Sequence, residues 1–332
     1  MTTTEVTPAR IIQIATGIWG SAVLGSAVSH ALFAQLETGA KTATEIATLA
    51  GISERGAQAL LDGLVALDLV ELNDGWYRNT AEAASYLVSG RPGYLGAFAE
   101  VLLSEAASWS ALPDVVRTGV PAMSATHDAA DATFYEKLVP ALAPVATPVA
   151  QIAGQKLDIA NRGDISILDV GGGAGVYSST WLGLNPVARS TQVDWAPVNA
   201  VARRLVTAHG VGDRFGCVDG DLHTVDFGED SYDYIVYSHV AHVEGPADNA
   251  GVFARFRRAL KPGGTLVISE LIVDDDRSGP PFPLIFASAM LLQTRSGNTW
   301  RPADYRQWLA AAGFEDVTFE STPTPSTLIF AR

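Results

Sequence analysis

Asp169-Val170-Gly171-Gly172-Gly173-Ala174-Gly175-Val176 is the stretch on which the reading of this chain turns. An apolar run, Ile165-Ser-Ile-Leu-Asp-Val, leads into it, and helical spacing over 176–186 follows. The glycines therefore mark a strand-to-helix turn. Without side chains, the backbone can turn sharply and approach a ligand, with the N-terminus of the next helix behind it. A dinucleotide fingerprint needs Gly-x-Gly-x-x-Gly, but position 176 is Val. The pyrophosphate pattern is thus broken at its last position.

Outward from this turn, short apolar runs alternate with helical stretches. Strands are expected at 189–194, 214–218, 232–237 and 264–269, with helices at 176–186 and 196–209. Strands separated by helices imply βαβ units and a parallel, doubly wound sheet, with ligands at the carboxyl ends of the strands. Phe319 to Phe330, with Pro323 and Pro325 at the turn, is expected to be an antiparallel pair completing the sheet. Asp194 ends the second strand, where an acid can accept hydrogen bonds from both hydroxyls of a ribose. Gly220-Asp221-Leu222 follows the third strand and can place an adenine between an acid and an apolar side chain. A nucleoside without phosphates suits the charge of the chain, which carries 22 Lys+Arg against 36 Asp+Glu for a net −14.

That deficit is spread over both halves, so the chain has no electrostatic footprint for a phosphate backbone. Neither nucleic acid nor an anionic membrane surface is an expected partner. A single cysteine, Cys217, excludes an internal disulfide framework and fits a reducing, cytoplasmic location. Ile11 to Leu36 contains no charged residue, long enough for a membrane span, but it lacks flanking Lys/Arg or an aromatic belt. We read it as two helices buried in a core or a subunit interface, and predict no membrane association. The N-terminus also lacks the basic region of a signal peptide.

With 332 residues, the chain exceeds what one core usually organises. Thr44–Ala50 has helical spacing stopped by Gly51, and Ser53 caps a second helix over 54–67. Asn73-Asp74-Gly75 signals a hairpin. Helix, turn, helix, hairpin is the order of a winged helix. Its would-be recognition helix offers only Arg55 against Glu54 and Asp62, so a dimerisation or lid role is favoured over DNA reading. The expected organisation is a mostly helical winged-helix dimerisation domain over 1–95, a helical linker or lid over 96–160, and the α/β Rossmann-like domain over 161–332. Pro140, Pro144 and Pro148 imply that any helix there is short or kinked.

Taken together, Asp-Val-Gly-Gly-Gly-Ala-Gly, the Val-Asp pair ending at Asp194 and Gly-Asp-Leu at 220–222 resemble the S-adenosyl-L-methionine site of class I methyltransferases. The winged-helix front half narrows the resemblance to small-molecule O-methyltransferases, which include plant caffeate/flavonoid and bacterial polyketide enzymes. It covers nearly the whole chain, from about residue 8. The resemblance implies S-adenosyl-L-methionine as cofactor, a homodimer formed through the N-terminal domain, and cofactor contacts at Asp169, Gly171, Gly173, Asp194, Asp221, Leu222 and Ser238. It also implies that His242 is the general base and Glu270 the acid that orients it. Where the family has Asp-Trp after the histidine this chain has Val243-Glu244, and Thr299 stands where a second acid is usual.

Methyl transfer is an in-line displacement, so the enzyme must align donor and acceptor and remove a proton from the acceptor. An acceptor pocket is expected from Trp109, His239, Phe286, Met290 and Gln293, the last three recurring at helical spacing. His239, His242, Glu244 and Glu270 have the donor types of a two-His, one-carboxylate metal centre. No histidine follows position 242 to complete the set, and no metal is expected. The resulting expectation is O-methylation of an aromatic or polyketide-like small molecule. The alternatives are C-methylation of a small α-keto acid, possible with a metal's assistance, and a non-methylating enzyme or regulator on the same fold.

Overall fold

The computed structural model describes residues 6–122 and 132–332, with side chains described outside 132–134. It divides into two compact units, Met1–Ala107 and Ser108–Arg332.

The first unit contains α1 (Ala9–Ala15), α2 (Gly17–Ser29), α3 (Leu32–Glu37), α4 (Ala43–Ala50), α5 (Glu54–Ala66), β1 (Val70–Asn73), β2 (Trp76–Asn79), α6 (Ala81–Tyr86) and α7 (Gly96–Ser104). Local chemistry sets its boundaries. Thr42 and Glu45 form a reciprocal capping box at α4, Gly51 ends that helix at φ +66°, and Ser53 Oγ accepts from Gly56 N at the start of α5. Asp74 and Gly75 both take positive φ, as a tight two-residue hairpin requires. Phe33, Ile46, Leu61, Leu64 and Tyr77 share its core.

The stretch Ile11–Leu36 forms three helices rather than two, because Ala31 turns left-handed at φ +54° between α2 and α3. Its second half is buried through Ala27, Val28, Leu32, Phe33 and Leu36, whereas Ile11, Ile14 and Trp19 are 73%, 70% and 68% exposed. Among the described residues no single helix is long and apolar enough to cross a membrane; α1 and α2 qualify only as a pair, bent by 44°.

The second unit adds α8 (Leu112–Thr118), α9 (Ala132–Lys156), β3 (Ser166–Val170), α10 (Val176–Leu184), β4 (Arg189–Asp194), α11 (Ala196–Ala208), β5 (Phe215–Asp219), β6 (Tyr232–Ser238), α12 (Pro246–Ala259), β7 (Leu260–Glu270), α13 (Pro281–Gln293), α14 (Pro302–Ala311), β8 (Val317–Ser321) and β9 (Thr327–Ala331). Its sheet runs β5-β4-β3-β6-β7-β9-β8. β3 to β7 pair in parallel, and β9 lies antiparallel between β7 and β8. Strand order reverses direction between β3 and β6, so a crevice opens beyond their carboxyl ends, at Val170 and Ser238.

Against expectation, α9 is one continuous helix of 25 residues despite Pro140, Pro144 and Pro148. Spaced every fourth residue, the three prolines delete N–H groups along one side and leave the remaining ladder intact. Packing supplies what the ladder lacks. Val149, Ala150, Ala153 and Leu157 are buried with Trp181, whose Nε1 donates to Ala150 O at 2.9 Å.

Candidate active site

β3 delivers the chain into the glycine turn. Gly171 and Gly173 take φ +65° and +57°, conformations that other residues enter only with strain. A Cβ at Gly171 would lie 2.5 Å from Val240 Cγ2, so the turn after β3 and the loop after β6 abut at van der Waals contact. Asp169 lies beneath the turn, with Oδ2 accepting from Ser178 Oγ at 2.7 Å and Ser178 N at 3.3 Å. Burial pushes its carboxyl up to about 6. It thus braces the start of α10.

At the end of β4, Asp194 Oδ2 accepts from Gly173 N at 2.9 Å and Oδ1 from Trp195 N at 2.8 Å. Each oxygen keeps a lone pair, and the pair suits two vicinal hydroxyls. Burial raises this carboxyl to about 6, against the opposing pull of the two N–H groups. Gln192 and Asn199 stiffen the same corner. Gln192 Nε2 donates to Gly173 O and to Asn199 Oδ1, and Asn199 Nδ2 donates to Asp194 O and Asp219 Oδ1. This brace was missed by sequence reasoning, although a Gln inside a buried strand is a signal that could have marked it. Asp221 Oδ1 accepts from His223 N at 2.8 Å in a local turn, and Leu222 is half-buried against the core. Ser238 ends β6 opposite Ser269.

The loop leaving β6 carries both histidines. His239 takes φ +55°, rare for a side chain of this size, with its N–H on Ser269 O. This sharp exit lets His242 come back over Glu270 at the end of β7. There Glu270, fully buried, accepts at Oε1 from Leu271 N and His242 Nδ1, and at Oε2 from His242 N. Burial by itself would raise the Glu270 carboxyl, but the His242 and His239 imidazoles and these hydrogen bonds hold it below its ordinary range. An ionised carboxylate only accepts, so Nδ1 of His242 carries the ring proton and Nε2 keeps its lone pair. His239 Nε2 lies 2.9 Å from Ser326 Oγ and its Nδ1 3.6 Å from Glu270 Oε1.

α13 brings Phe286 edge-on to the His242 ring, with centroids 5.0 Å apart at 89°. Met290 on the same face is buried and Gln293 half-buried. Asn298 N and Trp300 Nε1 donate to the carbonyls of His242 and Ala241, which clasps the histidine loop from the other side. Trp109 lies in the 3-10 segment Ala106–Ala111 and is 39% exposed. His239, His242 and Glu270 also offer ligand atoms within 4.8 Å of one another, though His242 and Glu270 already satisfy each other at 2.7 Å. Ser326 and Val240 were missed by sequence reasoning; each acts through a partner remote along the chain.

Comparison with known proteins places this arrangement. Residues 116–315 match the O-methyltransferase domain, and residues 12–89 match the O-methyltransferase dimerisation domain. The 3-hydroxy-5-methyl-1-naphthoate 3-O-methyltransferase of Streptomyces sahachiroi is 34% identical over 93% of this chain and 90% of its own length. The tetracenomycin polyketide synthesis 8-O-methyl transferase of Streptomyces glaucescens is 29% identical over 98% of this chain and 96% of its own. Human N-acetylserotonin methyltransferase, solved in complex with S-adenosylmethionine, superposes with a TM-score of 0.85 at 25% identity, covering 100% of this chain and 99% of that one. By domain content, sequence and fold, the chain belongs to the S-adenosyl-L-methionine-dependent O-methyltransferases that pair a dimerisation domain with a Rossmann-like catalytic domain.

Proposed function

We propose that the chain methylates a hydroxyl of an aromatic, polyketide-like small molecule, with His242 as general base and Glu270 orienting it. The observation that carries this is the 2.7 Å contact from His242 Nδ1 to Glu270 Oε1, which leaves Nε2 as the proton acceptor. Phe286 beside that ring, with Met290 along α13, supplies an apolar wall suited to a planar acceptor, and Gln293 on the same helix adds an amide. The two Streptomyces relatives, named for a naphthoate and a polyketide, support the same substrate class.

The cofactor fits the residues present: Asp194 keeps two acceptor positions for the ribose, and Gly171 and Gly173 let the backbone come close. Asp221 and Leu222 would take the adenine, and Ser238 closes the end of β6. S-Adenosyl-L-methionine supplies an electrophilic methyl group on a sulfonium. His242 Nε2 takes the hydroxyl proton as the oxygen is methylated, and Glu270 stabilises the imidazolium. We read residues 1–95 as the homodimerising part, 96–160 as a helical lid and 161–332 as the catalytic part, in a cytoplasmic enzyme.

His242→Ala tests the base. Turnover should fall by about 10²–10⁴-fold, while affinity for S-adenosylhomocysteine stays within a few-fold. Unchanged turnover removes His242 from the chemistry.

A further inference from the structure

Two imidazoles converge on one carboxylate oxygen. Glu270 Oε1 accepts from His242 Nδ1 at 2.7 Å and from Leu271 N at 2.8 Å, which uses both of its lone pairs. His239 Nδ1 stands 3.6 Å from the same oxygen, outside hydrogen-bonding range but inside the range of strong electrostatic coupling. The ring is held there by Ser326 Oγ, 2.9 Å from Nε2, and by a left-handed backbone whose N–H is tied to Ser269 O. Ser326 directly precedes β9, and Thr327 pairs with Glu270 across the β7–β9 ladder, so the anchor and the carboxylate belong to neighbouring strand ends. Nε2 of His239 is thus engaged by Ser326, and Nδ1 faces Glu270. A strained backbone and a two-sided tether are more than a pocket-lining residue requires.

We propose that His239, anchored by Ser326, is a positioning residue for methyl transfer: it competes with His242 for the charge of Glu270 and so sets how readily His242 takes up a proton. The inference rests on His242 being the base. With one ionised carboxylate between the two rings, a proton on either opposes a proton on the other by like-charge repulsion. Burial favours the neutral form of His239, with Glu270 pulling the other way and His242 adding to burial. The pair's other neighbours do not relieve the competition. Tyr177 of α10, Tyr237 of β6 and Tyr305 of α14 are phenols that burial keeps neutral. Glu244 and Asp248 add negative charge near Tyr237, and Phe286 of α13 and Asn298 carry none.

His239→Asn is the informative substitution, because Asn tolerates a left-handed backbone. Without the competing ring, His242 is protonated more easily, so the acid limb of the kcat/KM profile should move up by about half a unit, roughly a threefold loss on that limb. Ser326→Ala releases His239 toward Glu270 and should move the limb the other way. Histidine ring signals followed by NMR in the acceptor-free protein should move in the same two directions. If neither variant displaces the limb or the ring titrations, even with a lower kcat, His239 has a structural role alone and the proposal is overturned. Failure of the base reading shows differently, as full turnover in His242→Ala.

Discussion

His242 and Glu270 are joined twice, ring Nδ1 to Oε1 at 2.7 Å and backbone N to Oε2 at 3.1 Å, so one carboxylate fixes both the orientation of the imidazole and the loop that carries it. A neutral amide cannot do both. In Glu270→Gln, the Nε2 donor must face one of the three N–H groups that the carboxylate now satisfies. We expect kcat to fall by about 10²-fold or more, since the imidazolium loses its counter-charge and the ring its fixed tautomer. Steady-state kinetics alongside a circular dichroism melt checks this. Near-normal kcat in a folded variant would count against Glu270 as the orienting acid.

The contact between Gly171 and Val240 gives a second test. A Cβ at 171 would sit 2.5 Å from Val240 Cγ2 on a backbone at φ +65°. Gly171→Ala should weaken cofactor binding about tenfold or more, corresponding to about 1–2 kcal/mol of clash and strain. Adding Val240→Ala relieves the clash and leaves the strain. The double variant should therefore recover part of the loss, as read by calorimetric titration with S-adenosylhomocysteine. Strict additivity of the two substitutions would show that the contact is unimportant.

Cofactor affinity should depend on pH through Asp194. Its carboxyl is raised from the ordinary 3.8 to about 6, chiefly by burial, and only the ionised form offers acceptors on both oxygens. Affinity is then full above about 6 and lost as pH falls through that value. The stability contribution has the opposite sense: a raised carboxyl favours the fold below its unfolded value and loses that contribution as pH rises through about 6. The rise in Tm caused by S-adenosylhomocysteine should hence be smaller at about pH 5 than at about pH 7.5. An equal rise at both would exclude Asp194 as the titrating contact, and Asp194→Asn should flatten the difference.

Ile11, Ile14 and Trp19 form an apolar surface on the first unit, more than two-thirds exposed in the single chain. In a dimer this surface should be covered. Ile14→Asp combined with Trp19→Asp should shift the protein toward monomer in sedimentation velocity at micromolar concentration. A wild-type monomer under those conditions would mean the surface has another use.

The strand ends, the glycine turn and the hairpin were legible because each is set by residues close in sequence. Asp194 stood out for the same reason, as an acid ending a β-strand. What was not legible depends on distant partners: Ser326 meets His239 across 87 residues, and Val240 meets Gly171 across the crevice. The continuous α9 escaped for a related reason. Proline rules describe an isolated helix, whereas here Val149, Ala153 and Leu157 are held by a buried core.

β9 is synthesised after every other strand described, yet it sits between β7 and β8 with Leu328, Ile329 and Ala331 fully buried. Until it emerges from the ribosome, β7 presents an open, apolar edge, the kind of surface that recruits chaperones or other nascent chains. The same late segment brings Ser326 to His239. Completion of the sheet and the meeting of Ser326 with His239 are therefore a single event in the life of the chain, and a translation product halted before residue 326 is expected to leave that apolar edge uncovered.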